Sequence, residues 1–190
     1  MIKYKKMAGA LFVLLIAACT KEKKDLNSVN QNQDAIAINN SSLWPKPANP
    51  VSSELAKNEN IRIVMSFFEA YSKHDMEGIK KVMSKDVEWH IPGNHPLSGT
   101  KRGISEVMSF FEKLNIASFK AEVLILSAND NYVIDAHRGW SSTGKDDIDI
   151  NWVLIYQIEN GKIRRVQNFS GDLYRSDKFF NRVYENESGD

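Results

Sequence analysis

The sequence predicts an α+β domain in which about three helices cover one face of a curved antiparallel sheet, on three observations. Apolar residues recur at helical spacing through the first part of the globular region. After residue 119 the period drops to two, and Asn160-Gly161, the strongest short hairpin signal in the chain, joins two of the strand-like runs. Helical and strand patterns are segregated rather than alternating, which argues against a parallel α/β sheet.

The elements follow in order. Ile61, Val64, Met65, Phe68 and Tyr71 share one helical face, so a helix is expected over roughly 54–73. Asp75 can cap a short second helix carrying Met76, Ile79, Val82 and Met83. Val87 to Ile91 reads as a strand stopped by Pro92-Gly93, and residues 92–102 read as a loop. Ile104, Val107, Phe110, Phe111 and Leu114 give a third helix. A strand over 119–126 ends at the turn signal Asn129-Asp130-Asn131, and strands over 132–140, 148–158 and 162–169 continue the meander. Leu173, Phe179, Phe180 and Val183 mark a last helical segment.

The ends of the chain differ in kind from this domain. Lys3, Lys5 and Lys6 precede the apolar run Ala8 to Ile16, which closes on small residues: a secretory signal over 1–18. The run is too short to span a hydrocarbon core, which needs roughly 20 apolar residues. Ile16-Ala17-Ala18-Cys19 resembles a bacterial lipobox, which implies a diacylglyceryl group on Cys19 and cleavage just before it. Removing the three lysines of the signal takes the formal net charge from +1 to −2. With no basic block left, a nucleic-acid partner is not expected. With the one cysteine consumed, neither is a disulfide. Residues 19–53, rich in Asn, Gln, Ser and Pro, read as a polar tether, and 54–185 as the domain. The expected location is the bacterial cell envelope, lipid-anchored, at the outer membrane or cell surface if the cell is Gram-negative.

Two stretches carry a further resemblance. Asp86 to Gly93, then Pro96 to Gly103, contain a Trp-x-x-Pro-Gly followed by Gly-Thr-x-x-Gly. With the hairpin Ile158 to Ile163 and the ending Asn168 to Asp172, this resembles the SnoaL-like branch of the nuclear transport factor 2-like superfamily, in the expected order over 57–183. The resemblance implies a cone-shaped fold with a pocket between sheet and helices, often dimeric through the sheet. It implies function weakly, because the superfamily hosts enzymes and non-catalytic binders alike.

The candidate residues are weighed in that light. Strand alternation sends Trp89 toward the pocket as a wall and His90 to the other face, although an imidazole near neutral pH can exchange protons wherever it lines a cavity. His95 falls in the following loop, near the pocket mouth. Asp172 stands near the place where the resemblance implies a general base, and it is equally a helix N-cap. A turn at 142–146 sets His137 opposite Asn151, with Asp135 and Asp149 diagonal to it on the outer polar face. Arg138, Trp140, Trp152 and Tyr156 then face inward as pocket residues. No His-x-His or Glu-x-x-His spacing occurs, so neither a metal nor another cofactor is expected. The expected function is binding of a small, largely apolar or aromatic molecule in this pocket. The alternatives are a polyketide cyclase- or isomerase-like proton transfer with Asp172 or His90 as base, and a non-catalytic module that dimerises through its sheet.

Overall fold

The computed structural model describes residues 51–141 and 147–184. The signal segment, Cys19, most of the tether and the 142–146 turn lie outside the described residues. Asn58 caps the first helix, α1 (Glu59–Ser72), by accepting from the Asn60 and Ile61 amides. The helix therefore starts later than its apolar periodicity suggests, after a 3-10 turn at Leu55–Lys57. Asp75 caps α2 (Met76–Lys81) through the Gly78 amide, as expected. Val82 and Met83 leave that helix, and Met83 opens β1 (Met83–Ile91). Part of the expected loop pairs back on β1 as the short β2 (Gly99–Arg102). Glu106 reaches back to the Arg102 amide at the start of α3 (Gly103–Ile116).

The chain then forms β3 (Lys120–Ala128), β4 (Tyr132–Ser141), β5 (Ile148–Glu159) and β6 (Lys162–Ser170) before α4 (Leu173–Tyr184). The six strands lie in the order β2-β1-β6-β5-β4-β3, in a curved, open sheet. It is mixed rather than wholly antiparallel. The meander from β3 to β6 runs back across the sheet and meets β1 in parallel, Trp89 opposite Val166. Among the described residues four α-helices accompany it, the fourth being the final helical segment expected around Leu173 to Val183. Among the described residues no helix is long and apolar enough to cross a membrane.

The core lies between the inner sheet face and α1, α3 and α4, and includes Ile61, Val64, Phe67, Val107, Phe111, Phe179 and Phe180. On β5 six alternate residues, Ile148 to Ile158, are all buried. Their partners on β4 correct the expected register. His137 pairs with Trp152, not Asn151, and Trp140 with Asp149. Because side chains alternate, one residue of slip turns the whole strand over. Val133, Asp135, His137 and Ser141 therefore face the core, and Arg138 and Trp140 face outward. There Arg138 forms a two-pronged ion pair with Asp149 at 2.6 and 2.7 Å, and its guanidinium lies 4.8 Å from the Trp140 ring centroid.

Candidate functional site

A cavity of about 60 Å³ opens between the inner sheet face and the helices. Its walls are aromatic: Phe67, Phe68 and Tyr71 from α1, Phe110 and Phe111 from α3, Phe180 from α4, Trp89 from β1 and Trp152 from β5. Such lining follows from the sequence locally, because each helix presents its apolar stripe to the sheet. Trp89 is 2% exposed, with its ring centroid 5.0 Å from that of Phe111 and 5.4 Å from Phe67. The expectation of Trp89 as a wall agrees with this placement, as does Trp152.

Polar atoms in this lining are few, and most lack partners. Trp89 Nε1, Trp152 Nε1, His95 Nε2 and Asn168 Oδ1 are buried without a hydrogen bond. A buried, unpaired polar group costs about 1–3 kcal/mol, so these four atoms are the positions at which a hydrogen-bonding partner would be gained; His95 Nε2 also stands 3.9 Å from Asp177 Oδ1. Trp152 is seated close against β4 because residue 139 is glycine. A Cβ there would lie 2.6 Å from Trp152 Nε1 and 2.7 Å from Phe119 Cζ.

His95 is brought in by a pinned loop. Gly93 adopts φ +114°, a left-handed conformation suited to glycine, and a Cβ there would collide with Asp177 Oδ1 at 2.2 Å. Asp177 accepts from the Asn94 amide, and Asn181 donates to the Asn94 carbonyl, so α4 holds the loop from two points. His95 Nδ1 accepts from the Leu97 amide at 3.2 Å, which leaves the ring proton on Nε2. Burial pushes His95 below the ordinary histidine range, against the opposing pull of Asp177. It thus lines the cavity as a buried, neutral donor.

The sequence reading set Asp135 and His137 on the outer face, and the structure brings them inside. His137 lines the cavity, its Nδ1 2.7 Å from Asp135 Oδ2. Burial raises the Asp135 carboxyl above the usual carboxylate range, while His137 opposes the rise. Tyr156, fully buried behind the pair, lies close enough to Asp135 that burial and this charge both raise its phenol well above the usual value. It stands behind the site and does not line the cavity. Among the described residues no group of three or more His, Cys, Asp or Glu side chains could hold a metal ion.

The remaining candidates lie elsewhere. Asp172 accepts from the Arg175 amide at 3.0 Å as a cap of α4, and it is absent from the cavity lining. β6 ends at Ser170, where Gly171 donates to the Asn151 carbonyl, so no bulge turns Asp172 inward. His90 faces outward, 3.0 Å from Thr100 Oγ1, in a surface depression with Glu88, Arg102 and Arg165. Arg138 and Trp140 belong to the outer face, for the register reason given above. Asn168 was missed as a site residue. The signal for it was present: it is a polar residue at an inward position of β6, two residues after Val166.

Residues 64–166 match the family model of the SnoaL-like domain. An uncharacterized protein of Mycobacterium tuberculosis is 23% identical over 130 residues, covering 66% of this chain and 99% of the relative. Among solved structures, Bal32a from a soil-derived mobile gene cassette superposes with a TM-score of 0.62 at 24% identity, over 64% of this chain and 96% of its own. An NTF2-like protein of unknown function from Burkholderia pseudomallei gives 0.60 at 19% identity, over 65% and 98%. The fold is NTF2-like, as its sequence led one to expect.

Proposed function

Because this chain belongs to the SnoaL-like domain family, we propose that it binds a small, planar, largely aromatic molecule in the cavity while lipid on Cys19 tethers it to a bacterial envelope. One observation carries the ligand reading: an aromatic cavity whose lining keeps four buried polar atoms unpaired. The space is less than the roughly 150 Å³ that holds a benzene ring in a closed core, so a ring enters with part of it toward the opening. The tether reading rests on the residues at 3–19: a basic start, a short apolar run and the lipobox-like Ile-Ala-Ala-Cys. Two or three acyl chains, at about 0.8 kcal/mol per buried methylene, anchor firmly without a span.

The outer sheet face favours pairing of two copies as a companion property. Ile125, Ala136, Val153 and Phe169 stand in one row across β3 to β6, by direct register. Three of them are 50%, 38% and 48% exposed. A second functional reading, proton transfer of cyclase or isomerase type, finds its support in the buried Asp135–His137 pair rather than in Asp172 or His90.

Native mass spectrometry of the full chain, extracted from bacterial membranes in detergent, tests these points together. The expected species is a dimer whose chains begin at Cys19 with added acyl mass and which carries a small molecule. The Ala121→Phe chain, which fills the cavity from β3, should lack that molecule. A mass that retains residues 1–18, or an unacylated Cys19, would overturn the tether. Identical ligand content in both chains would overturn the cavity, and a monomer would overturn the pairing.

A further inference from the structure

A second depression, of about 240 Å³, adjoins the aromatic cavity and is built from different chemistry. Leu97 and Phe110 line both spaces, so the two stand back to back and share those side chains. One wall is a single face of α3: Glu106, Ser109, Phe110 and Lys113 fall three, one and three residues apart, the spacing of helical neighbours. The facing wall is β2, where alternation separates two basic residues. Arg102 turns outward to Glu88, and Lys101, opposite Trp89 in the sheet, turns into the depression. Tyr184 donates to the Lys113 carbonyl, so α4 steadies the end of α3 that carries this lysine.

The two lysines are short of partners. Lys101 is half-buried, and its ammonium donates to the Ser98 carbonyl at 2.8 Å, which uses one of its three donors. Among the described residues neither Lys101 nor Lys113 forms an ion pair with a carboxylate. Glu106 is the acid of the depression, and its Oε2 already accepts from the Arg102 amide at 2.8 Å. Burial pushes the Lys101 amine below the usual lysine range, and the Lys113 charge adds to that push against the pull of Glu106. Two like charges thus bear on one space, and two lysines against one glutamate leave a single positive charge uncompensated.

Charge and shape together select an occupant. A monoanion balances that single charge, whereas a phosphomonoester dianion brings a second negative charge beside Glu106. A carboxylate presents two acceptor oxygens, which suits two ammonium groups and the Ser109 hydroxyl. Pro96, Leu97 and Phe110 give the rest of the molecule an apolar side. The space exceeds the roughly 150 Å³ that holds a benzene ring in a closed core, so one ring with its carboxylate fits.

We propose that this depression is a second ligand site, which takes an apolar monocarboxylate of about the size of one ring, with Lys101 and Lys113 as its anion-binding residues. It is distinct from the aromatic cavity. No lysine or arginine lines that cavity, so the same anion meets a heavy desolvation cost there.

4-Fluorobenzoate and 4-fluorobenzamide test the assignment, because they differ in charge and little else. Each is titrated into the full chain in neutral detergent and followed by fluorine NMR, with detergent alone as blank. The benzoate should bind about tenfold tighter than the amide or more, since only the benzoate makes charge-assisted hydrogen bonds. Lys101→Met and Lys113→Met should each weaken the benzoate about tenfold and leave the amide unchanged. Lys113→Arg keeps the charge and should keep the binding, so a loss confined to Lys113→Met reads charge rather than fold. If Lys101→Met fails to fold, Lys113→Met carries the same meaning, because that side chain is exposed. Ala121→Phe, which fills the aromatic cavity, should leave benzoate binding as it is. No binding of the benzoate, equal affinity for the two probes, or benzoate binding unmoved by either methionine substitution overturns the proposal. Loss of benzoate binding in Ala121→Phe alone places the carboxylate in the aromatic cavity and overturns it as well.

Discussion

Trp89→Ala is expected to lower the melting temperature of the domain by roughly 10–20 °C, the largest single effect among the site residues. Trp89 is one of the largest fully buried side chains, and its ring stands between Phe67, Phe110, Phe111 and Tyr156 at centroid distances of 5.0 to 6.3 Å. Removing such a group costs about 3–5 kcal/mol, against a total stability of about 5–15 kcal/mol for a typical domain. Trp89→Phe should behave differently. It keeps a six-membered ring among the same neighbours and removes the remainder of the indole with its unpartnered N–H, so its cost should be well below that of Trp89→Ala. Thermal unfolding followed by circular dichroism distinguishes the two. An equal loss in both variants would mean that the indole N–H has a structural partner, and Trp89 would leave the set of ligand donors.

His137→Leu should be the next most damaging change, and its damage should depend on pH. The substitution leaves the Asp135 carboxylate buried without the partner that holds its charge, a situation that costs about 3–5 kcal/mol. With the opposing influence of His137 gone, burial raises the Asp135 carboxyl further above its unfolded value. A carboxyl with a raised folded pKa binds a proton in the folded state when the unfolded chain has already released its own. Stability is then present at low pH and is lost as pH rises through the folded pKa. The deficit of His137→Leu should therefore be greatest at neutral pH and shrink on acidification. Adding Asp135→Asn removes the charge altogether, so the double variant should be more stable at neutral pH than His137→Leu alone. Urea unfolding across a pH series measures both effects. A deficit independent of pH, with no rescue by the second substitution, would show that His137 matters only through packing.

The parts of the fold legible in the sequence were those in which apolar residues mark one face and polar residues the other. β5 is such a strand, and so are the stripes of α1 and α3. On β4 the two faces carry inverted chemistry. Its outward positions hold Tyr132, Ile134, Ala136, Arg138 and Trp140, and its inward positions hold Val133, Asp135, His137, Gly139 and Ser141. The outer face carries part of an apolar row, while the inward polar residues are His137 in the cavity lining, Asp135 paired to it, and Ser141 bonded to the Ala117 carbonyl. Hydrophobic alternation thus points the wrong way on this one strand. The deciding quantity was the parity of the connection: Ser141 pairs with Ile148, which leaves 142–147 between the strands, an even number where an odd turn had been assumed. Asp172 illustrates the converse. Its cap reading followed from the residues and its base reading from the resemblance alone, and the chain after Ser170 places it as the cap. The contribution of Asn168 was hidden because a lone amide on an inward strand position has no motif around it.

The parallel seam between β1 and β6 has a consequence for how this protein is made. The two strands lie on the order of eighty residues apart in the chain, with Trp89 opposite Val166, while every other pairing in the sheet joins sequence neighbours. Closing so long a loop is entropically slow, and contacts of this range set the folding rate of small domains. Hairpins β3 to β6 can assemble early, yet they supply only part of the sheet wall of the cavity. The rest of that wall, with Trp89 on β1, is added when the parallel seam forms. The cavity is therefore complete only once the two most distant strands of the sheet have met, so its integrity reports on the last and longest-range pairing of the fold.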